Sequence, residues 1–249
     1  MSYLHADNRR IATVENSLAS SIPVALRVQE RLAVCLAVIA GYVDAYGFLS
    51  FGTYLSFMSG NTTQTGVEIG QRNVVAAATT LLAIVSFVIG AFAGTLLTHS
   101  ALRQGRSLAF AGVAALLAMG IAVTQLDSLA IGCGVATLSL AMGVLNTTLS
   151  RVGAQSVNLT FVTGTLNKIG SHLALAVKRA SLQNAQGPWD THARRAGILA
   201  CIWAGFLIGA LLAAAAAAFF GVWALLLPLL TLLTLAGFTF GPEHQYSNL

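Results

Sequence analysis

Long apolar runs separated by short polar stretches make up most of the chain. All but one of these runs lack charged residues, and each approaches or exceeds the length of about 20 residues that an α-helix needs to cross a bilayer. The pattern therefore predicts an all-α polytopic membrane protein with about six transmembrane helices. The predicted helices are residues 32–49, 74–102, 107–124, 129–150, 196–220 and 222–240.

Two segments of hydroxyl, amide and glycine residues interrupt this pattern. They are residues 56–66 (SFMSGNTTQTG) and residues 160–170 (TFVTGTLNKIG), which lie 104 positions apart (160 minus 56). Each reads hydroxyl, Phe, apolar, hydroxyl and Gly, and each ends on a second Gly. Irregular backbone at membrane depth must be buried in protein or line a water-filled space. We therefore interpret both segments as polar re-entrant or broken-helix segments.

Features on both sides of these segments recur in the same order. Gly41-x-x-Asp44 precedes the first segment, and Gly143-x-x-Asn146 precedes the second. A Gly-x-x-x-Gly pair follows each segment, and such pairs usually let membrane helices pack closely. These pairs are Gly90 with Gly94 and Gly205 with Gly209. The recurrence predicts two three-helix repeats, residues 31–126 and residues 127–240, between tails formed by residues 1–30 and 241–249.

An odd number of crossings would give the two repeats opposite orientations, which makes them an inverted repeat. The basic residues test this topology, because they concentrate in cytoplasmic loops. With re-entrant segments and a cytoplasmic N-terminus, all basic residues except Arg72 and Lys168 lie on the cytoplasmic side. If each segment crossed the membrane fully, Arg103 and Arg106 would move outside. The charge pattern thus predicts that both termini are cytoplasmic.

Composition agrees with a membrane protein and argues against other classes. Only 8% of the residues are charged and 56% are apolar, whereas soluble domains carry about 25% charged residues. The net charge of +5 does not indicate nucleic-acid binding, since the basic residues cluster in short loops. The sequence has no nucleophile–base arrangement, phosphate loop or metal-ligand cluster, and the three cysteines lie in apolar runs. We expect neither an enzyme nor a metal or cofactor site.

The polar segments predict a solute-binding site. A helix that begins within each segment would expose unpaired amides and a partial positive charge, which attract an anionic or strongly dipolar solute. We expect the two helix starts to meet near the bilayer midplane, as in transporters built from inverted repeats. The candidate binding residues are Ser59, Gly60, Asn61 and Thr62 with Thr163, Gly164, Thr165 and Lys168, and also Tyr42, which could equally belong to an interfacial belt. The alternative is that these polar residues only pack helices together.

Asp44 is the sharpest single candidate, because a carboxylate at the membrane centre costs about 2.5–3.5 kcal/mol on insertion scales. We expect it to couple or gate transport, with Asn146 as its counterpart in the second repeat. A structural ion pair is the alternative. Lys168 is then the expected partner of Asp44, and Glu68 is the acidic residue that competes for it. His172, four residues after Lys168, could carry protons or be an ordinary polar histidine near the interface.

The runs Gly41-Tyr42-Val43-Asp44-Ala45 and Phe57-Met58-Ser59-Gly60-Asn61-Thr62, with the trailing Gly66, resemble the YoaK-like family of bacterial integral membrane proteins. The resemblance implies a six-span protein of the bacterial inner membrane without an assigned substrate. Together with the repeat, it favours a small secondary transporter of a small solute. A channel and a non-transporting membrane scaffold are the alternatives. The expected partners are the lipid bilayer and a small-molecule or ion substrate. The sequence is also compatible with a homodimer, and nucleic acid is not an expected partner.

Overall fold

The computed structural model describes residues 22–99, 104–125, 130–149, 151–157 and 159–240. The helices are α1 (Val24–Phe51), α2 (Met58–Gly70), α3 (Val74–Thr98), α4 (Gly105–Val123), α5 (Ala130–Thr147), α6 (Val162–Val177), α7 (His192–Phe220) and α8 (Leu226–Phe240). Strands β1 (Arg151–Val152) and β2 (Gln155–Ser156) form a small antiparallel hairpin. The predicted tail 241–249 and most of the predicted tail 1–30 lie outside the described residues.

Four helical stretches of the described chain are long and apolar enough to cross a membrane, namely Val24–Phe51, Val74–Thr98, Gly105–Val123 and His192–Phe238. The last one contains α7 and most of α8, with the 3-10 helix Gly221–Leu225 between them. A shorter apolar helix covers Ile131–Thr147. Apolar side chains of α3 point outward, as lipid-facing residues do; Phe92, for example, is 67% exposed. The structure is thus that of a helical, apolar, membrane-type protein.

The first long helix, α1, packs along α7, and glycines on both helices set the distance between them. A Cβ atom at Gly41 would overlap the carbonyl group of Phe206, and one at Gly209 would overlap the carbonyl group of Val38. The two backbones can come this close only because neither glycine carries a side chain.

Helices α3 and α5 form a second close pair of the same kind. A Cβ atom at Gly90 would meet the carbonyl of Leu140, and one at Gly143 would meet the carbonyl of Phe87. The predicted packing role of the Gly-x-x-x-Gly pairs is therefore confirmed in both halves. Gly41 and Gly143, which lie at equivalent positions of the two predicted repeats, also lie in equivalent helix contacts.

Helix α4 joins the two halves, because it packs against α5 on one side and α8 on the other. The Ser107 hydroxyl donates a hydrogen bond to the Ala236 carbonyl at 2.8 Å, which fixes α4 to α8. The largest fully buried side chains of the core include Leu36, Phe110, Leu117, Leu138 and Met142. The core therefore extends through both halves of the chain.

The β-hairpin is a feature that the sequence analysis missed. The fourth predicted span runs to residue 150, whereas α5 ends at Thr147 and the hairpin follows. Gly153 turns the chain between the strands with a φ of 58°, a value that suits glycine. Its amide donates to the side-chain oxygen of Gln29 at 3.3 Å, so the hairpin is tied to the start of α1.

Candidate functional site

The two polar segments form helices that begin at equivalent positions. Helix α2 begins at Met58 and α6 begins at Val162, and these positions are again 104 residues apart (162 minus 58). The preceding residues have nearly the same backbone angles: φ −84° and ψ 72° at Phe57, and φ −89° and ψ 72° at Phe161. The prediction that a helix begins within each segment is confirmed to within one or two residues.

A buried carboxylate fixes the chain just before α2. One side-chain oxygen of Asp44 accepts hydrogen bonds from the backbone amides of Leu55 (2.8 Å) and Ser56 (2.7 Å). Asp44 is only 4% exposed, and bonds from two amides compensate for the burial of its polar oxygen. The turn of α1 that carries Asp44 thereby determines where α2 starts.

Asn61 locks the same connection from the other side. Its side-chain amide donates to the Tyr54 carbonyl at 2.6 Å, and its side-chain oxygen accepts from the Tyr54 amide at 3.2 Å. Asn61 is fully buried, and it is the buried residue of α2. Of the predicted binding residues, Asn61 is therefore used within the protein, as a brace between α2 and residues 52–57.

The second segment has a weaker version of this arrangement. The Thr160 hydroxyl donates to the side-chain oxygen of Asn146 at 3.4 Å, in the position that Ser56 and Asp44 occupy in the first half. Thr165 takes the place of Asn61; it is 7% exposed and donates to the Phe161 carbonyl at 3.1 Å. The counterpart relation between Asp44 and Asn146 thus extends from the sequence to the contacts.

The alternative role of Asp44, a structural ion pair with Lys168, is wrong. The Lys168 ammonium group donates to the carbonyl and the hydroxyl of Ser156, both at 2.9 Å, and so binds the hairpin. Among the described residues, the ion pairs are Arg194 with Glu30 and Arg195 with Asp190, so Lys168 pairs neither with Asp44 nor with Glu68. Backbone amides, and not a basic side chain, are the hydrogen-bond partners of the Asp44 carboxyl group.

The hydroxyl groups of the two segments do not cap the starts of α2 and α6. Neither α2 nor α6 has a side-chain cap. The hydroxyls of Thr62 and Thr63 instead donate to carbonyls one turn earlier, those of Met58 and Ser59, at 2.7 and 3.1 Å. A hydroxyl beyond the first turn can reach the carbonyl four residues before it, whereas a cap must come from the residue that precedes the helix.

The two segment glycines do not leave open backbone for a ligand either. A Cβ atom at Gly60 would overlap the ring of Phe57, and one at Gly164 would overlap the ring of Phe161. Each glycine lets the preceding phenylalanine fold over the first turn of its helix. A larger side chain at Gly60 would thus displace the ring of Phe57 and not a ligand.

One face of each segment helix remains uncovered by the other residues that the structure describes. On α2, Ser59, Thr62 and Thr63 are exposed, while Thr65 turns inward and shares a 2.7 Å hydrogen bond with Thr80 of α3. On α6, the exposed polar residues include Thr163, Asn167 and Lys168. We call these two surfaces the α2 polar face and the α6 polar face.

The packing keeps the two polar faces apart. Within the described residues, α2 packs mainly against α3 and α6 mainly against α7, and no packing of similar extent joins α2 to α6. Tyr42 does not join either face: it is 1% exposed, and its hydroxyl donates to the Ala224 carbonyl at 2.9 Å. The packing of a single chain therefore does not support one central site made from both helix starts.

A charged cluster at the start of α7 also escaped the sequence analysis. It comprises Asp190, His192, Arg194 and Arg195, together with Glu30 of α1 and His172 of α6. The guanidinium group of Arg194 also lies over the Trp189 ring, 5.0 Å from its centre. The Gly187-Pro188 turn signal next to these charges was visible in the sequence, but the distant partners were not.

Comparison with protein families identifies the chain. The sequence model of the family described as "Protein of unknown function (DUF1275)" matches residues 32–238. The chain belongs to this family. Comparisons with curated proteins and with solved structures gave no match. The matched range begins within α1 and ends within α8, so it contains both polar faces, Asp44 and all of the charged cluster except Glu30. The YoaK-like resemblance stays a prediction.

Proposed function

We propose that this DUF1275 protein is a small secondary transporter whose solute contacts the α2 and α6 polar faces. The observation that supports it is the exposure of hydroxyl, amide and ammonium groups on two short helices of an otherwise apolar protein. The proposed solute is small and is anionic or strongly dipolar, because these faces offer hydrogen-bond donors and, at Lys168, a positive charge. This is a proposal of transport and not of catalysis.

The length of the segment helices supports a re-entrant arrangement. Helix α2 has 13 residues, which at about 1.5 Å per residue reach roughly 20 Å, short of a hydrocarbon core of about 30 Å. Polar side chains that faced lipid at that depth would lose their hydrogen bonds to water, at a cost of several kcal/mol. In our proposal both polar faces therefore line water-filled spaces that a solute can enter.

The way the halves pack supports an inverted repeat. The first helix of each half packs along the helix that follows the polar segment of the other half, as α1 with α7 and α3 with α5. Each segment helix packs on the helix that follows it in its own half. If each helix of one half is replaced by its counterpart in the other half, the same helix pairs result. Two half-units of this kind can rock against each other, which is how inverted repeats provide alternating access.

Asp44 and Asn146 are the proposed gating residues. They act by holding the starts of α2 and α6 in place through hydrogen bonds. Asp44 holds the chain where α2 begins, so a shift of α1 moves the α2 polar face with it. Asn146 does the same for α6 through a longer hydrogen bond to Thr160. In the proposal the two gates differ in strength, since a carboxylate with two short bonds holds its segment more firmly than an amide with one long bond.

Transient currents from proteoliposomes on a solid-supported membrane would test the proposal, with a panel of small anions and neutral dipolar solutes. A transporter gives a saturable transient current that Thr62→Val and Thr63→Val reduce. Thr231→Val is the matched control, because Thr231 has the same bond to the carbonyl four residues earlier (2.8 Å) but lies on α8. A steady ohmic current would favour the channel, and the absence of any current would favour the scaffold.

A further inference from the structure

Two histidines meet where α6 packs on α7. Nδ1 of His172 on α6 lies 2.8 Å from Nδ1 of His192, the first residue of α7. This separation of two nitrogens is a hydrogen-bond distance, so one Nδ1 carries a hydrogen and the other accepts it. The contact therefore ties α6 to α7 through two imidazoles, the side chain whose charge ordinarily changes between about pH 5 and pH 8.

The short distance limits how many protons the pair can hold. We assign His172 as the donor, because it is half-buried whereas His192 is 8% exposed, and the more accessible ring can take a proton from water on Nε2. That first proton leaves the contact intact, since the charged ring of His172 still donates from Nδ1. A second proton would go to Nδ1 of His192, and two N–H groups cannot face each other at 2.8 Å.

The charges around the pair oppose the second proton. The described charged groups near it are Lys168 of α6, Arg194 and Arg195 of α7, Asp190 of the connection between these helices and Glu30 of α1. The two carboxylates pair with the two arginines, so among these groups the positive charge of Lys168 has no acidic partner. Burial and then neighbouring positive charges lower the pKa of His172, against a smaller opposing effect of Asp190.

The equivalent helices of the first half are joined by groups that do not titrate near neutral pH. The hydroxyls of Thr65 on α2 and Thr80 on α3 lie 2.7 Å apart and share a hydrogen bond. The position equivalent to His172 is residue 68 (172 minus 104), which is a glutamate. Mild acid should therefore act on the α6 contact and spare the contact between α2 and α3.

We propose that His172 and His192 form a proton-binding site, in which a second proton breaks their contact and releases α6 from the start of α7. The proton comes from water and returns to water when the contact closes. Helix α6 carries the α6 polar face, so its release changes the position of that face. Because the closed contact holds one proton fewer than the open one, acid shifts the equilibrium toward the open position. The proton is then the coupling ion, a consequence that rests on the proposed transport function.

NMR of the full-length protein with ¹⁵N-labelled histidine, in lipid bilayers, tests the site without a transport assay. We expect a scalar coupling between Nδ1 of His172 and Nδ1 of His192 at neutral pH, because such a coupling passes through a hydrogen bond. On acidification the coupling should persist when the first proton binds. It should vanish when Nδ1 of His192 becomes protonated, while the protein stays folded. His99→Gln, which changes a histidine outside the pair, should leave the coupling unchanged.

His192→Asn separates the proton from the hydrogen bond. The Oδ1 atom of asparagine takes the place of Nδ1 and accepts from His172, but it does not take up the proton. Two unfolded histidines bind one proton more than the closed pair does. The stability from the contact is therefore complete above the ordinary histidine range and is lost as the pH falls through it.

Unfolding in mixed detergent micelles measures this difference. From about pH 6 to about pH 5, the unfolding constant of the wild type should rise by up to about tenfold relative to that of His192→Asn, which is the limit for one proton. His99→Gln is the matched control and should follow the wild type.

The proposal is overturned if the coupling is absent at neutral pH, or if it persists until the protein unfolds. The same pH dependence of unfolding in the wild type and in His192→Asn would overturn it as well. If His192→Asn does not fold, the wild-type NMR titration decides. A pair that opens as expected in a protein without any solute-dependent current would contradict transport and support the proton site. A saturable current with a coupling that acid does not remove would contradict the proton site alone.

Discussion

The amide nitrogen of Ser56 lies 2.7 Å from the side-chain oxygen of Asp44, twelve positions earlier in the chain. This contact joins the buried acid of α1 to the residue pair that leads into α2. It makes Asp44 a brace for the α2 polar face, and it explains how a membrane helix tolerates a buried carboxyl group without a basic partner.

Substitutions of Asp44 should separate its hydrogen bonds from its charge. Asp44→Asn keeps an acceptor oxygen for the amides of Leu55 and Ser56, so the protein should stay folded. Asp44→Ala leaves two buried amides without partners and should lower the free energy of unfolding by about 3 kcal/mol. Thermal unfolding in detergent measures both. Equal stability of Asp44→Ala and wild type would contradict a structural role of these two hydrogen bonds. Restored stability in the double variant Asp44→Ala with Lys168→Met would contradict it as well.

Helix packing at Gly41 should not tolerate a methyl group. Gly41→Ala forces α1 away from the Phe206 carbonyl and should cost about 2 kcal/mol or more in unfolding free energy. Gly112→Ala in α4 is the matched control, since no atom lies within 4 Å of a Cβ at that position. There the helix propensity of alanine should stabilise the protein by up to about 1 kcal/mol. Similar losses in both variants would show that close packing is not the cause.

Acid should release the connection between α6 and α7. Hydrogen bonds from Arg195 hold the pKa of Asp190 below its usual range, although burial opposes them. The unfolded state therefore takes up a proton at a higher pH than the folded state does. The stability from this pair is fully present above about pH 4 and is lost as the pH falls through the lowered pKa. Limited proteolysis of residues 178–191 from pH 6 to pH 3 should show faster cleavage in acid.

Asp190→Asn provides the control for that experiment. It should be cleaved rapidly at every pH, because an amide cannot replace the charged pair with Arg195. A wild-type cleavage rate that stays constant down to pH 3, measured with an acid-stable protease, would rule out this role of Asp190.

The proposed topology places residues 50–72 and residues 151–195 on opposite sides of the membrane. Single cysteines at Ser50 and Gln183, both exposed, in a background without the native cysteines report this directly. An impermeant maleimide added to intact cells should label position 50 and spare position 183. Equal labelling of both positions would be incompatible with the inverted repeat.

The helices and their starts could be predicted from the sequence because they depend on local signals. Apolar length marked the long helices, and the Phe-x-(Ser/Thr)-Gly pattern marked the starts of α2 and α6. The glycine spacing indicated which helix faces pack. Each of these signals lies within a few residues of the feature that it predicts.

The partners of the polar residues could not be predicted in the same way. Asp44 bonds to backbone amides, which every residue except proline carries, so the sequence has no sign of the contact. His172 and His192 contact each other although a long connection separates them in the chain. Lys168 donates to Ser156 of a hairpin that the apolar pattern does not predict. Such contacts depend on how the elements pack after they form.

In our proposal the α2 polar face contacts water within the membrane, and the accessibility of a cysteine at position 62 measures this contact. Thr62→Cys and Thr231→Cys, in a background without the native cysteines, are reconstituted in proteoliposomes and treated with an impermeant alkylating reagent. A cysteine reacts as a thiolate, which forms in water and not in lipid. We expect the cysteine at position 62 to be alkylated and the cysteine at position 231 to stay unmodified. If the reagent fails to modify position 62 whichever side of the membrane it is added to, the α2 polar face does not contact water and the proposal is wrong.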